Sequence, residues 1–238
     1  MKALIFDCDG VLVDTERDGH RVAFNRAFAA AGIDADWGVE LYGELLKIAG
    51  GKERMTHYFD QRGWPPGKTA ETLIPELHKR KTAIFTDLIA NGSLPLRPGV
   101  SRIVDEAHAA GIRLGVCTTS DPKAIDGVLD LFGAKRKAWF EIVLAGDVVK
   151  KKKPDPEIYN LAKRKLGLDA KDCVVVEDSR NGLLASLGAA MPTLITTSTY
   201  TADEDFTGAA KVVPELGDPP SVRVALEDLK AIAARRAA

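Results

Sequence analysis

Short runs of aliphatic and β-branched residues recur along the chain at 3–6 (ALIF), 112–117 (IRLGVC), 141–145 (EIVLA), 173–177 (CVVVE) and 192–196 (PTLIT). Helical spacing fills most of the intervals between them, and strands alternating with helices predict a parallel sheet covered on both faces. In KPDPEIYNLAKRKLG (153–167), Asp155 reads as an N-cap, Pro156 as the first helical residue and Gly167 as the stop. Ile158, Leu161, Ala162 and Leu166 then form the buried stripe. From about Thr15 to Phe85 the rhythm breaks: no strand-like run occurs, and Phe24 with Phe28, Leu41 with Leu45, and Ile84 with Leu88 are i, i+4 pairs of core-facing helix sides. An all-helical insertion is expected there. GWPPGK (63–68) would turn between helices, and NGSLPLRPG (91–99) would return the chain to the sheet. The expected division is 1–14 with 95–238 for the α/β part and 15–94 for the insertion. VRVALEDLKAIAARR (222–236) reads as a terminal amphipathic helix whose closing arginines are a solvated end.

Composition narrows the partners. The 238 residues are 45% hydrophobic, enough for one sizeable core and a smaller second one. Lys and Arg total 33 against 34 Asp and Glu, so no basic field calls for a nucleic acid. No charged leader precedes the first apolar run at Ala3, and no stretch is apolar enough to span a bilayer, so a cytoplasmic protein without a membrane partner is expected. Cys8, Cys117 and Cys173 share no metal-binding spacing and read as buried free thiols. A self-contained sheet domain needs no second copy, so a monomer is expected.

The polar residues that could carry chemistry sit at the ends of the apolar runs, where an open parallel sheet binds ligands. Asp7 and Asp9 follow the first run; Thr118, Thr119 and Ser120 follow the second; Lys153 lies in the loop after the third; Glu177 and Asp178 follow the fourth. Asp7 and Asp178, with Glu177 nearby, form an all-oxygen set suited to a hard cation that keeps its waters, hence Mg²⁺. A phosphate could enter between that cation, the Lys153 ammonium, the Thr118 hydroxyl and the backbone N–H groups after Asp7. Each fragment has a plain alternative, as a turn, a strand end, a solvated lysine run or a helix cap. An EF-hand reading of the DxDG fails because no further ligands follow at its spacing.

The set FDCDGV, Thr118 after LGVC, Lys153 in KKPDPEIY and VVVEDSRNG resembles the four motifs of the haloacid dehalogenase-like hydrolase superfamily, across nearly the whole chain. The insertion resembles the small helical cap of its β-phosphoglucomutase-like subgroup. DTERDGHRVAFN, LYGELLKIAGGKERMTHYF and LHKRKT look like the CbbY group of sugar-bisphosphate phosphatases. The resemblance implies a Rossmann-like parallel-sheet core with a helical cap inserted after the first strand. It also implies hydrolysis of xylulose 1,5-bisphosphate to xylulose 5-phosphate and phosphate. By the same resemblance Asp7 is the nucleophile, forming an aspartyl-phosphate, and Asp9 the acid for the leaving oxygen and then the base for water. Lys153, Thr118 and Mg²⁺, held by Asp7, Asp9, Glu177 and Asp178, would neutralise the phosphoryl oxygens.

The insertion carries groups that suit a second anion. Gly50 and Gly51 permit close backbone approach before Lys52 and Arg54, and His78 and Lys81 stand one helical step apart. Glu53 and Asp14 could bond sugar hydroxyls; His20 and Tyr42 are weaker candidates, since such residues on an apolar helix face are usually satisfied within a core. The cations could equally be plain surface charges. Linkers near Asp14 and near 94–98 predict a cap that opens for substrate and closes against water. A phosphomutase is the nearest alternative activity, and a non-catalytic phosphosugar-binding regulator the alternative from another class.

Overall fold

The computed structural model describes residues 1–48 and 51–234. In chain order the strands are β1 (Ala3–Phe6), β2 (Arg113–Cys117), β3 (Phe140–Leu144), β4 (Cys173–Glu177), β5 (Thr193–Thr196) and β6 (Lys211–Val213). The α-helices are α1 (Arg21–Ala30), α2 (Val39–Leu45), α3 (Gly51–Arg62), α4 (Ala70–Ala90), α5 (Val100–Ala109), α6 (Pro122–Asp130), α7 (Gly133–Lys137), α8 (Glu157–Leu166), α9 (Arg180–Gly188) and α10 (Leu226–Ala234), with a π-helical turn at Glu16–His20. The chain divides into two compact units, Met1–Asp14 with the chain from Pro95 on, and Thr15–Leu94.

The first unit is a six-stranded sheet in the order β3-β2-β1-β4-β5-β6. All neighbouring strands of this sheet pair in parallel, and β1 lies between β2 and β4, with Ala3 opposite Arg113 on one side and Cys173 on the other. Every residue of β1 and β4 is buried, as expected where helices cover both faces, whereas β3 at the edge alternates buried and exposed. The order reverses beside β1: the chain runs outward through β2 and β3, then returns to lay β4 on the other side. That reversal opens the crevice between the ends of β1 and β4, where a ligand can approach backbone and side chains together.

The second unit is helical throughout its described residues. Its core is aromatic: Trp37 lies 4.7 Å from Phe24 and 5.0 Å from Phe28, centroid to centroid, and Phe28 lies 6.0 Å from Phe59. Each of these rings is buried and contributes about 1.5–3 kcal/mol by leaving water. This is how 80 residues sustain a core of their own.

Several local expectations shift. Pro156, expected at the first helical position, is the N-cap of α8; Asp155 still caps, its Oδ1 accepting from the Glu157 N–H at 3.0 Å. Tyr159 joins Ile158, Ala162 and Leu166 in the buried stripe, and Leu161 is only partly buried. In the second unit the buried faces centre on Tyr42 with Leu45 and on Phe85 with Leu88, leaving Leu41 and Ile84 half-buried. The terminal helix starts at Leu226, and its closing arginines at 235–236 lie outside the described residues. β6, three residues long with none fully buried, adds a strand beyond the five apolar runs. All three cysteines are buried free thiols, and no described helix is long and apolar enough to cross a membrane.

Candidate active site

Asp7 is the first residue past β1, and its N–H donates to the Val176 carbonyl of β4 at 2.9 Å, so the sheet ladder itself aims its side chain into the crevice. Glu177 ends β4 and Asp178 follows it. Asp7, Glu177 and Asp178 each offer a carboxylate oxygen, and these oxygens lie within 4.8 Å of one another. Lys153 reaches in from the loop before α8: its ammonium donates to Asp7 Oδ1 at 2.6 Å, to Glu177 Oε1 at 2.5 Å and to the Cys117 carbonyl at the end of β2 at 2.9 Å. These side chains are almost withdrawn from water, Lys153 at 8%, Asp7 at 10% and Glu177 at 1% exposure.

Burial pushes the Asp7 carboxyl up to about 7; Lys153 pulls it back down, and Glu177 and Asp9 add to the rise. Asp178 is held well above the usual carboxylate range by burial and by the charges of Asp7 and Glu177, against a hydrogen bond from Ser198. Burial works against the Lys153 ammonium, but Asp7 and Glu177 outweigh it and fix it as a cation. One ammonium therefore serves three carboxyl groups, and their full ionisation would leave two negative charges beyond what Lys153 compensates in a buried crevice. An all-oxygen set short of two positive charges fits a hard divalent cation, with Asp7, Glu177 and Asp178 as the residues that would hold it.

Glycines shape the floor of this crevice. Gly10, at φ +78°, turns the chain immediately after Asp9, and a β-carbon there would run into the Asp178 carboxylate. Gly182, in the first turn of α9, leaves room in the same way for the Glu177 carboxylate. Tyr159 donates to Glu177 Oε1 at 2.5 Å, and the Asp178 N–H donates to Glu177 Oε2 at 3.2 Å. Glu177 is thus oriented through both of its oxygens.

The expected residues separate into distinct sets. Asp7, Lys153, Glu177 and Asp178 converge. The Asp9 carboxylate is not among the three clustered oxygens: the turn that begins at Cys8 places it against Ser120, whose hydroxyl donates to Asp9 Oδ2, while its charge still raises Asp7. Thr118 is buried, and its Oγ1 accepts from the Ser120 N–H at 3.2 Å; Thr119 is exposed. Asp14 accepts from the Thr199 hydroxyl at 2.7 Å, within the same unit.

The remaining candidates belong to the helical unit. Arg54, expected to be available to an anion, is buried and donates to the Leu45 carbonyl at 3.0 Å, the Tyr42 hydroxyl at 3.1 Å and the Ile48 carbonyl at 3.3 Å. Its fork is occupied in holding α2 and α3 together. Tyr42 passes the network on, donating to Glu16 Oε2 at 2.6 Å. The Lys81 ammonium stands 2.9 Å from His20 Nδ1 and over the rings of Phe24 and Phe85. Lys52 and Glu53 are exposed, His78 is half-buried next to Gly51, and Gly50 lies outside the described residues. Sequence reasoning passed over Tyr159, Ser198 and Arg97, all of which border the crevice. Tyr159 had a signal, six positions after Lys153 on the first turn of a capped helix.

Comparison with known proteins agrees with this geometry. A sequence profile of haloacid dehalogenase-like hydrolases matches residues 1–189. A CBBY-like protein of Arabidopsis thaliana is 54% identical over 93% of this chain and 71% of its own length. The crystal structure of CbbY from Rhodobacter sphaeroides with phosphate superposes at a TM-score of 0.80, with 38% identity over 97% of this chain and 99% of that one. A second structure of that protein, with xylulose-(1,5)bisphosphate, gives a TM-score of 0.78 and 39% identity over 92% of this chain and 96% of that one. A carboxylate-rich crevice at the sheet reversal, the profile match and these relatives together place the chain: it belongs to the haloacid dehalogenase-like hydrolases, groups with the CbbY proteins among them, and is a phosphatase.

Proposed function

We propose that this enzyme is a Mg²⁺-dependent phosphatase that converts xylulose 1,5-bisphosphate to xylulose 5-phosphate and phosphate through an aspartyl-phosphate. The observation that carries the reading is the meeting of three carboxylates, from the ends of β1 and β4, with the Lys153 ammonium in one buried crevice. Likeness to a CbbY protein solved with xylulose-(1,5)bisphosphate supports the substrate.

In this mechanism Asp7 attacks phosphorus in line, forming a bond from its carboxylate oxygen as the bond to the sugar oxygen breaks. Asp9 gives its proton to the departing oxygen, then takes one from the water that attacks the aspartyl-phosphate, releasing phosphate and restoring Asp7. Ser120 holds Asp9 between these two duties. Lys153 and the Thr118 hydroxyl take up charge on the phosphoryl oxygens. The cation, when bound, supplies Lewis-acid neutralisation of the same oxygens. Lys52, exposed on α3, is assigned to discrimination between bisphosphates and monophosphates.

The test is phosphate release from xylulose 1,5-bisphosphate, with and without added Mg²⁺, by the wild type, Asp7→Asn and Lys52→Ala. Asp7→Asn should form no phosphoenzyme and lose turnover, while Lys52→Ala should raise KM for the bisphosphate far more than for a monophosphate ester such as p-nitrophenyl phosphate. Wild-type turnover by Asp7→Asn would remove the nucleophile from the scheme. Isomerised sugar phosphate without net release would turn the reading to a phosphomutase.

A further inference from the structure

Arg97 lies where the chain re-enters the sheet unit, and its guanidinium is directed at backbone carbonyls from separate loops. Nη1 donates to the Gly10 carbonyl and, at 3.4 Å, to that of Thr196; Nη2 donates to Thr197 at 2.7 Å and Pro214 at 2.6 Å. Its own N–H donates to the Leu12 carbonyl at 2.8 Å. The turn after Asp7 is therefore gripped at two of its carbonyls, from the ends of β5 and β6.

Cys8, Val11, Leu12 and Val13 anchor the turn by burial, and a small set of backbone hydrogen bonds closes it. The Cys8 carbonyl accepts from the N–H groups of Val11 and Leu12, at 3.2 and 2.9 Å, and the Gly10 N–H donates to the Val13 carbonyl at 2.8 Å. Gly10 adds no side-chain packing, because a β-carbon there is excluded by Asp178. Asp9, next to it, is half-exposed and steadied by Ser120. Asp9 is bonded to Gly10, so displacement of Gly10 would carry Asp9 off its line, and the guanidinium on the Gly10 carbonyl opposes that displacement. A fork of several donors in a fixed plane suits the task, and a lysine, with one nitrogen, could not span carbonyls of three loops. The carboxylates of Asp14, Asp178 and Glu215 surround this cation.

We propose that Arg97 is a positioning residue for the phosphatase reaction: by clamping the Gly10 carbonyl it holds Asp9 at the distance and angle needed to protonate the leaving oxygen. The proposal deepens the assignment of Asp9 as general acid and rests on it. The Arg97 guanidinium is engaged by backbone carbonyls, so its action on the reaction runs through the turn. Its effect should therefore scale with how much the leaving group needs a proton, which a residue that only holds the fold together would not produce.

The test compares kcat/KM for p-nitrophenyl phosphate, whose phenolate departs without help, with kcat/KM for phenyl phosphate, a poorer leaving group. This ratio reports steps up to departure of the alcohol and excludes later hydrolysis of the phosphoenzyme. General-acid assistance is worth roughly 10²–10⁴-fold, so partial loss of alignment in Arg97→Lys and Arg97→Gln should cut the phenyl phosphate value roughly tenfold or more. The p-nitrophenyl phosphate value should stay within about threefold of wild type, and Asp9→Asn should show the same selectivity more strongly. Melting temperature is measured on each variant. Equal losses on both esters, or a lowered melting temperature with the ester ratio unchanged, would reduce Arg97 to a structural staple and overturn the proposal; either variant alone decides if the other fails to fold. A wild type that releases phosphate from neither ester would overturn the phosphatase reading itself, an outcome distinct from any difference between variants.

Discussion

Asp7 is ion-paired to Lys153 at 2.6 Å and yet its carboxyl rises to about 7, because burial and the neighbouring carboxylates outweigh the single ammonium. A folded-state value above the ordinary 3.8 means that the folded protein binds a proton more tightly than the unfolded chain. The stabilisation this brings is complete below about pH 3.8 and is lost as pH climbs toward 7, and Asp178 moves in the same direction. A bound divalent cation would replace the protons and cancel that loss. The rise in melting temperature on adding Mg²⁺ to chelator-treated enzyme should therefore be larger at pH 8 than at pH 5. Asp178→Asn should raise the melting temperature of the metal-free enzyme at pH 8 and remove most of the metal-induced rise. Calorimetry checks both, and equal metal effects at the two pH values would count against a metal bound by these acids. Lys153→Met is the complementary change: three buried carboxylates without their ammonium should leave the metal-free protein more than about 3 kcal/mol less stable.

The elements that deliver these side chains differ in how plainly the sequence announces them. β1 and β4 stand out because burial on both faces requires unbroken apolar runs, and the carboxylates that end those runs are conspicuous by contrast. β6 has three residues with none fully buried, so it leaves no run to read. Helix faces blur wherever apolar residues are adjacent: in α4 both Ile84 and Phe85 suit an i, i+4 partner, and packing chose Phe85. The site shows the same limit. Lys153 was legible from a motif, whereas Arg97 binds backbone carbonyls, which any residue supplies, and so has no partner pattern along the chain. Asp9 takes its roles from the resemblance alone: a turn starting at Cys8 ends the strand's two-residue period, and its bond with Ser120 joins positions too far apart along the chain to leave a local signal. The segment at 200–209 supports α9: the Arg180 N–H donates to Glu204, and its guanidinium donates to the Asp205 carbonyl at 2.7 Å. α9 is also capped by Ser179, whose Oγ accepts from the Gly182 N–H at 3.2 Å. Ser179→Ala should cost about 1 kcal/mol and lower the melting temperature by about 2–4 °C, as read by calorimetry; no shift would mean that the 200–209 segment alone secures the helix start.

Across the whole molecule, the two units carry buried titratable groups of opposite sense. In the helical unit His20 packs on Phe85 with ring centroids 3.9 Å apart, and its Nδ1 faces the Lys81 ammonium. Burial, then the charges of Lys81 and Arg54, hold its pKa well below the ordinary 6.5, so the folded imidazole stays neutral and can accept from Lys81. Below pH 6.5 the unfolded chain takes up a proton that the folded unit refuses, and stability falls by about 1.4 kcal/mol for each further pH unit until the folded imidazole titrates. The acidic crevice of the sheet unit behaves the other way in metal-free protein, gaining protons and stability over the same descent. Acidification from pH 7 to pH 5 should therefore loosen Thr15–Leu94 selectively. Hydrogen exchange, corrected for the intrinsic effect of pH, should show protection falling in α1 and α4 while β1 and β4 hold theirs. His20→Gln keeps an acceptor for Lys81 without a titrating ring, and should flatten the response of α1 and α4. Parallel loss in both units, or an unchanged response in the variant, would place the acid-sensitive group elsewhere than His20.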